Sequence, residues 1–157
     1  MNHKFGSRSS IILGSCHPDL RRLMEKTISL SQVDFAIVQG VRTAEEQAIL
    51  VLQKKSKTMK SKHLPCLMDP KTGVKLSGAV DIACYNHVGK LQWDGAEPLY
   101  HSVAAVVKAV SEELGIPIRW GGDWDRDGDT KDQTFNDLPH FELWDGKYQY
   151  DFSGLNV

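Results

Sequence analysis

The 157-residue chain carries 19 Lys and Arg against 20 Asp and Glu, a formal net charge of -1, so no overall field favours nucleic acid or an anionic membrane surface. With 41% hydrophobic and 25% charged residues it reads as one soluble domain, large enough for its own core and without a membrane span. Cys16, Cys66 and Cys84 form neither an even set nor a C-x-x-C pair, which argues against a disulfide framework or thiolate zinc knuckle and for synthesis in a reducing compartment.

The opening "MNHKFGSRSSIILGSCHPDL" has an apolar run of three residues, too short for a signal peptide. Pro18 then starts a helix over "PDLRRLMEKTISL", where Leu20, Leu23, Met24, Ile28 and Leu30 largely follow helical spacing. "DFAIVQG" reads as a short buried strand stopped by Gly40. Thr43 with Glu46 is a capping box opening the helix "AEEQAILVLQKK". Residues 54–77 read as a long polar loop. "AVDIACY" is β-like, and "GKLQW" pairs with it across the turn Asn86 to Gly89. "EPLYHSVAAVVKAVSEELG" is a helix ended by Gly115, "IPIRW" a short strand, and "DLPHFEL" a strand after an acidic loop. Strands and helices mix without a βαβ rhythm and without repeats, so the expected class is α+β in a single domain spanning residues 1–157.

Four of the six histidines have ordinary explanations: a terminus for His3, a helix start for His17, a turn for His87 and a helix surface for His101. His63 and His140 differ, each lying beside polar groups at the edge of a loop or strand. Asp81 is one charge in an otherwise apolar strand, and a lone buried carboxylate costs several kcal/mol unless it is paired or bound to a metal. Two imidazoles and one carboxylate can hold catalytic zinc with a position left for water. Asp137, three residues before His140 and across Pro139, would then serve as the base, since zinc lowers the pKa of a bound water towards neutrality. The plainer alternative makes His140 a satisfied core histidine between Leu138, Phe141 and Leu143.

"SKH" at 61–63, "SGAVD" at 77–81 and "DLPHFEL" at 137–143 resemble the zinc signature of the D-alanyl-D-alanine carboxypeptidase and L-alanyl-D-glutamate peptidase family. "FAIVQGVRT" resembles the family's strand-then-Arg segment, "GIPIRWGGDW" the stretch before its last ligand, and "KFGSRS" the opening of phage endolysins of this group. The resemblance implies a small, mostly antiparallel sheet with flanking helices, of the Hedgehog/DD-peptidase type. It implies His63, Asp81 and His140 as zinc ligands, Asp137 as general base and Arg42 as the cation for substrate or oxyanion. Members of this size are phage endolysins cutting the L-Ala–D-Glu bond of peptidoglycan stems. The implied enzyme is a monomer made in the host cytoplasm and released to the wall through holin lesions, with no separate wall-binding domain.

Two departures stand out. Seventeen residues separate His63 from Asp81, well beyond the family's usual spacing, so an inserted loop lines the cleft or acts as a lid. The base is Asp where many relatives have Glu. Arg42 has its own rationale, because D-Glu is joined onward through its γ-carboxyl and leaves its α-carboxylate free for a guanidinium fork. The alternative pairs Arg42 with Glu45 or Glu46. Glu142 either orients a ligand or faces solvent, Ser61 sits beside the first ligand, and Trp120 and Trp124 either wall the cleft or pack.

"DWDRDGDTKDQT" begins like a calcium loop, with Asp123, Asp125 and Asp127 at positions one, three and five and Gly128 at six. Asp129 follows at seven, the twelfth position is Thr134 rather than Glu, and Asp132 is a substitute ligand. A solvated acidic turn is the alternative to a regulatory calcium site. The basic run Lys54 to Lys62 either holds anionic wall polymers or, the simpler account, is a solvated helix end. A D-Ala-D-Ala carboxypeptidase and a metal-stabilised wall-binding module without catalysis remain alternative functions.

Overall fold

Residues 2–93 and 97–157 are described by the computed structural model. Helix α1 (Ser7–Leu13) precedes α2 (Pro18–Leu30), which starts with Pro18 in its first turn and with His17 Nδ1 accepting from the Asp19 N–H at 3.1 Å. Its buried residues Leu20, Leu23, Met24, Thr27 and Ile28 recur at intervals of three and four, so one stripe faces inward. Strand β1 (Phe35–Gln39) follows, then α3 (Ala44–Leu52), whose capping box closes in both directions between Thr43 and Glu46 at 3.1 Å. Helix α4 (Glu97–Leu114) buries Tyr100, Val103, Val107 and Val110 against α2 and ends at Gly115 in the left-handed region (φ +67). Each such large apolar side chain contributes about 1.5–3 kcal/mol on burial.

The main sheet runs β1, β4 (Ala79–Tyr85), β7 (Asp137–Leu143), β6 (Ile118–Gly121), all antiparallel, with β5 (Leu91–Gln92) also paired to β4 as the sequence predicts. Alternation divides its faces. Phe35, Ile37, Val80, Ile82, Cys84, Phe141 and Leu143 join the helices in one core. Asp81, His140 and Glu142 belong to the opposite face, and Asp81 stands directly across from His140.

Two irregularities occur level with Asp81. In β1 the register shifts between Ile37 and Gln39, so that Gln39 comes opposite Asp81. Between β6 and β7, Trp120 pairs with Phe141 but Gly121 with Asp137; one step on β6 spans four on β7. The extra residues of β7 bulge around Pro139, which has no N–H to give the ladder, and Trp120 Nε1 donates to the freed Leu138 carbonyl at 2.8 Å. Three residues apart in a flat strand, Asp137 and His140 would point to opposite faces; the bulge brings them to one groove.

Two expectations need correction. Residues 7–13 form a helix that the sequence reading does not contain, because seven residues are too few to establish a period. The supposed loop 54–77 holds an antiparallel hairpin, β2 (Leu67–Met68) with β3 (Lys75–Leu76). Its turn is held by Asp69, which accepts from Lys71 N and Thr72 Oγ1. Leu64, Cys66 and Leu67 are buried and no residue from 64 to 76 lines the site groove, so the insertion does not wall the cleft.

Gly121 permits the close pass of β6 over β7, since a Cβ there would collide with the Asp137 carbonyl oxygen and backbone. Gly121→Ala is expected to cost about 1–3 kcal/mol by overpacking, read as a lowered urea midpoint. An unchanged midpoint would show that the bulge has slack.

Candidate metal centre and substrate groove

His63 comes from the loop before the hairpin, and its position is fixed by backbone bonds on both sides. Arg42 N donates to the His63 carbonyl at 2.7 Å and Gly78 N to the Lys62 carbonyl at 2.9 Å. Ser61 Oγ accepts from the His63 N–H at 3.2 Å, a local turn that makes Ser61 a support for the imidazole.

The outer nitrogen of each imidazole fixes its tautomer. His63 Nδ1 lies 2.9 Å from the Gly40 carbonyl oxygen, which can only accept, so Nδ1 carries the proton and Nε2 presents a lone pair. His140 Nε2 lies 2.8 Å from Glu142 Oε1, leaving Nδ1 bare. His63 Nε2, His140 Nδ1 and Asp81 Oδ1 then stand 3.1–3.2 Å from one another. Three acceptors with no donor among them repel unless a cation or a proton joins them. Tetrahedral ligands at 2.0–2.1 Å from zinc stand roughly 3.3 Å apart, so both the spacing and the donor set fit one ion of that size.

Electrostatics agree. Burial disfavours the Asp81 carboxylate, yet His63 and His140 outweigh it and hold its pKa well below the usual range. Burial also opposes charge on His140, but its bonds to Asp81 and Glu142 push its pKa up to about 10. Without a metal, a proton therefore occupies the place that an ion would take, and the two compete. Asp137 moves the other way: burial raises its pKa, Asp81 adds to the rise, and His140, His63 and Arg42 oppose it.

Behind the imidazoles lies a charged support. Glu142 is buried, and its Oε2 accepts from Lys62 Nζ at 2.7 Å, with Arg119 NH1 at 3.6 Å. Both cations also reach Asp145, at 3.1 and 3.4 Å. Glu142 thus faces His140 and not solvent. Arg42 is buried too, but it pairs with neither Glu45 nor Glu46. Its NH1 donates to Gln47 Oε1 at 2.6 Å, its NH2 to Gln39 Oε1 at 3.0 Å, and Asp81 Oδ2 lies 3.8 Å away.

These groups open into a groove of ≈ 460 Å³ lined by His63, Asp81, His140, Asp137, Arg42 and Glu142, within the range of small-ligand sites. Ser61 and Trp124 also line it. Trp124 stacks on Phe135 (5.9 Å between centroids) and lies 5.6 Å from the His140 ring. Trp120 does not line it; it packs between His101 and Phe141, so one of the two tryptophans is packing. The basic run follows the end of α3 with Lys55, Lys57 and Lys60 exposed, and with Lys62 these lysines border the groove. In the acidic loop, Asp123, Asp125 and Asp127 each bring an oxygen within 4.8 Å of the others, while Asp129 and Asp132 lie outside that trio.

A family profile described as phage L-alanyl-D-glutamate peptidase matches residues 1–144. The chain belongs to that peptidase family. The peptidase is 33% identical over 134 residues to the L-alanyl-D-glutamate peptidase of Escherichia phage T5, which spans 85% of this chain and 90% of that protein. The crystal structure of the Serratia marcescens L-Ala D-Glu endopeptidase ChiX matches the peptidase with a TM-score of 0.70 and 30% identity, over 91% of each chain.

Gln39, Gln47, Lys62 and Phe135 were not foreseen as parts of the peptidase's site. The available signals were a glutamine ending an apolar strand, another inside an apolar helix, and a lysine adjoining a candidate ligand. Glu142→Gln keeps an acceptor but removes the charge that holds the His140 proton outward. Metal affinity is expected to fall about 10- to 100-fold, measured by competition with a chromophoric chelator; an unchanged affinity would show that Glu142 has no such role.

Proposed function

We propose that this protein is a zinc-dependent endopeptidase that hydrolyses the L-Ala–D-Glu bond of peptidoglycan stem peptides and acts as a phage endolysin. The observation that carries the reading is the convergence of His63 Nε2, His140 Nδ1 and Asp81 Oδ1 to within 3.1–3.2 Å of one another beside Asp137, in a chain of the L-alanyl-D-glutamate peptidase family. His63, Asp81 and His140 would hold the ion, and Asp137 and Arg42 act on the substrate.

Held there, zinc supplies a Lewis acid for the scissile carbonyl and acidifies a water towards neutral pH. Asp137 takes the proton of the attacking water and passes it to the leaving amine of D-Glu, a transfer favoured by its raised pKa. Arg42, held by Gln39 and Gln47, lines the groove and supplies the cation for the D-Glu α-carboxylate, which would orient the scissile amide. Trp124 and Phe135 form an aromatic wall of the groove. Among the described residues no helix is long and apolar enough to cross a membrane, and delivery of the monomer from the host cytoplasm through holin lesions completes the proposal.

Digestion of purified peptidoglycan followed by mass identification tests it. Fragments beginning with D-Glu are expected, lost with a chelator and restored by zinc; release of D-alanine would instead make the enzyme a carboxypeptidase. Asp137→Asn is expected to abolish turnover yet fold at least as stably as wild type when both are metal-free. The folded state raises this carboxyl's pKa, so folding binds a proton between the unfolded and folded values, and stability falls as pH rises through that window. At neutral pH the ionised group remains a cost that the amide removes. A large drop in the urea midpoint would contradict this.

A second ion is supported by the Asp123, Asp125 and Asp127 trio. We propose calcium there, ordering the loop that leads to Asp137 and His140. Calorimetry is expected to give a calcium isotherm that Asp125→Asn abolishes, with activity after zinc restoration rising on calcium addition. No heat in wild type would remove the site.

A further inference from the structure

We propose that Lys55, Lys57 and Lys60 form a carboxylate-reading subsite for the stem residue after D-Glu, so that the enzyme prefers stems whose third residue carries a free carboxylate of its own. The inference rests on the bond assignment above and adds what the substrate bears beyond that bond.

The three lysines line the same groove as His63, Asp81 and His140. Among the described residues none of the three has an ion-pair partner. Lys62 and Arg119, their cationic neighbours, are already committed to Glu142 and Asp145. The groove thus has a rim of uncompensated positive charge beyond the metal centre.

The segment that carries this rim is built into the site. Lys54 leaves α3 in the left-handed region (φ +59), an unfavourable conformation for a side chain with a Cβ. The backbone N–H groups of Lys55 and Ser56 both donate to the Leu50 carbonyl, at 2.8 and 3.1 Å. Gln47, wholly buried, then joins the rim to Arg42. Its Oε1 accepts from Arg42 NH1, while its Nε2 donates to Ser56 Oγ at 2.7 Å and the Thr58 carbonyl at 2.6 Å. Lys57 Nζ lies 4.6 Å from the Phe135 ring centroid, which puts an ammonium against the aromatic wall.

Substrate chemistry supplies the complement. With the D-Glu α-carboxylate at Arg42, the γ-linked chain runs away from the scissile amide. A third residue that is a diamino dicarboxylic acid places a second carboxylate a few bonds further on. Within a longer stem, a third residue with a single carboxyl, such as lysine, or an amidated diacid lacks that anion. Long-range attraction in such a rim acts on capture more than on chemistry.

The test uses three soluble stem peptides starting L-Ala-γ-D-Glu, followed by a diamino diacid, by its side-chain amide or by L-lysine, each continued by D-Ala so that the α-carboxyl of the third residue is in amide linkage. Wild type is expected to show about a tenfold lower KM for the free diacid, a preference that shrinks at about 0.5 M salt as charges are screened. The K55Q/K57Q/K60Q variant is expected to lose the preference while keeping wild-type kcat on the lysine stem, which also reports an intact fold. Equal KM values in wild type, or a preference surviving in the variant, overturn the subsite. A variant that keeps the preference but no longer lyses whole walls assigns the lysines to a wall polyanion instead. Failure of wild type to cut any of the three peptides sinks the bond assignment, and the subsite with it.

Discussion

The pairing of Asp81 with His140 across β4 and β7 is the constraint on which the rest depends. Side chains alternate along a strand, so a slip of one residue would turn Asp81 into the helix-packed core and present Val80 or Ile82 to the groove. Val80, Ile82 and Phe141 are fully or almost fully buried, and their packing holds the register against that slip. The core and the metal centre are therefore two faces of one strand pairing. Damage to the hydrophobic side displaces ligands that it never touches.

A correct register alone would leave two flat faces, and the chemistry needs more groups than one face of two strands can supply. The shift in β1 adds Gln39, which holds Arg42; the bulge in β7 adds Asp137. Each device costs ladder bonds and is compensated locally, as by the Trp120 indole on the Leu138 carbonyl. The Lys62, Glu142, Arg119 and Asp145 group works behind them. Buried or half-buried ion pairs add little net stability because desolvation offsets their attraction. The group's value lies in fixing which nitrogen of His140 bears the proton.

Much of this was legible in the sequence, for physical reasons that differ by element. The helices over 18–30 and 97–114 repeat their apolar positions often enough to define a face, and Thr43 with Glu46 announces a cap. Asp81 was conspicuous because a charge in an apolar strand demands a partner. His63 and His140 were harder to separate from four other histidines by spacing, and family resemblance carried that step. Helix α1, only seven residues long, has too few apolar positions to define a face. The bend in β7 is announced by Pro139, whereas the register shift in β1 arises from pairing with a distant segment and leaves no local trace. Trp120 and Trp124 look alike in sequence; only the fold assigns one to packing and the other to the groove.

The seventeen residues between His63 and Asp81 show why ligand spacing is a weak guide to ligand geometry. Closing a longer loop costs little, since the entropy grows only with the logarithm of its length. Here the added chain also folds on itself as the β2–β3 hairpin, buries Leu64, Cys66 and Leu67, and ties down residues 151–153 through Lys75 and the Cys66 carbonyl. His63 does not depend on that excursion, because the bonds from Arg42 and Gly78 hold its segment from either side. A ligand fixed by its neighbours in space tolerates insertion beside it in sequence. The same reasoning places the greatest sensitivity in the short stretches 40–42, 61–63 and 77–81, where a shift of one residue would move a ligand or its support.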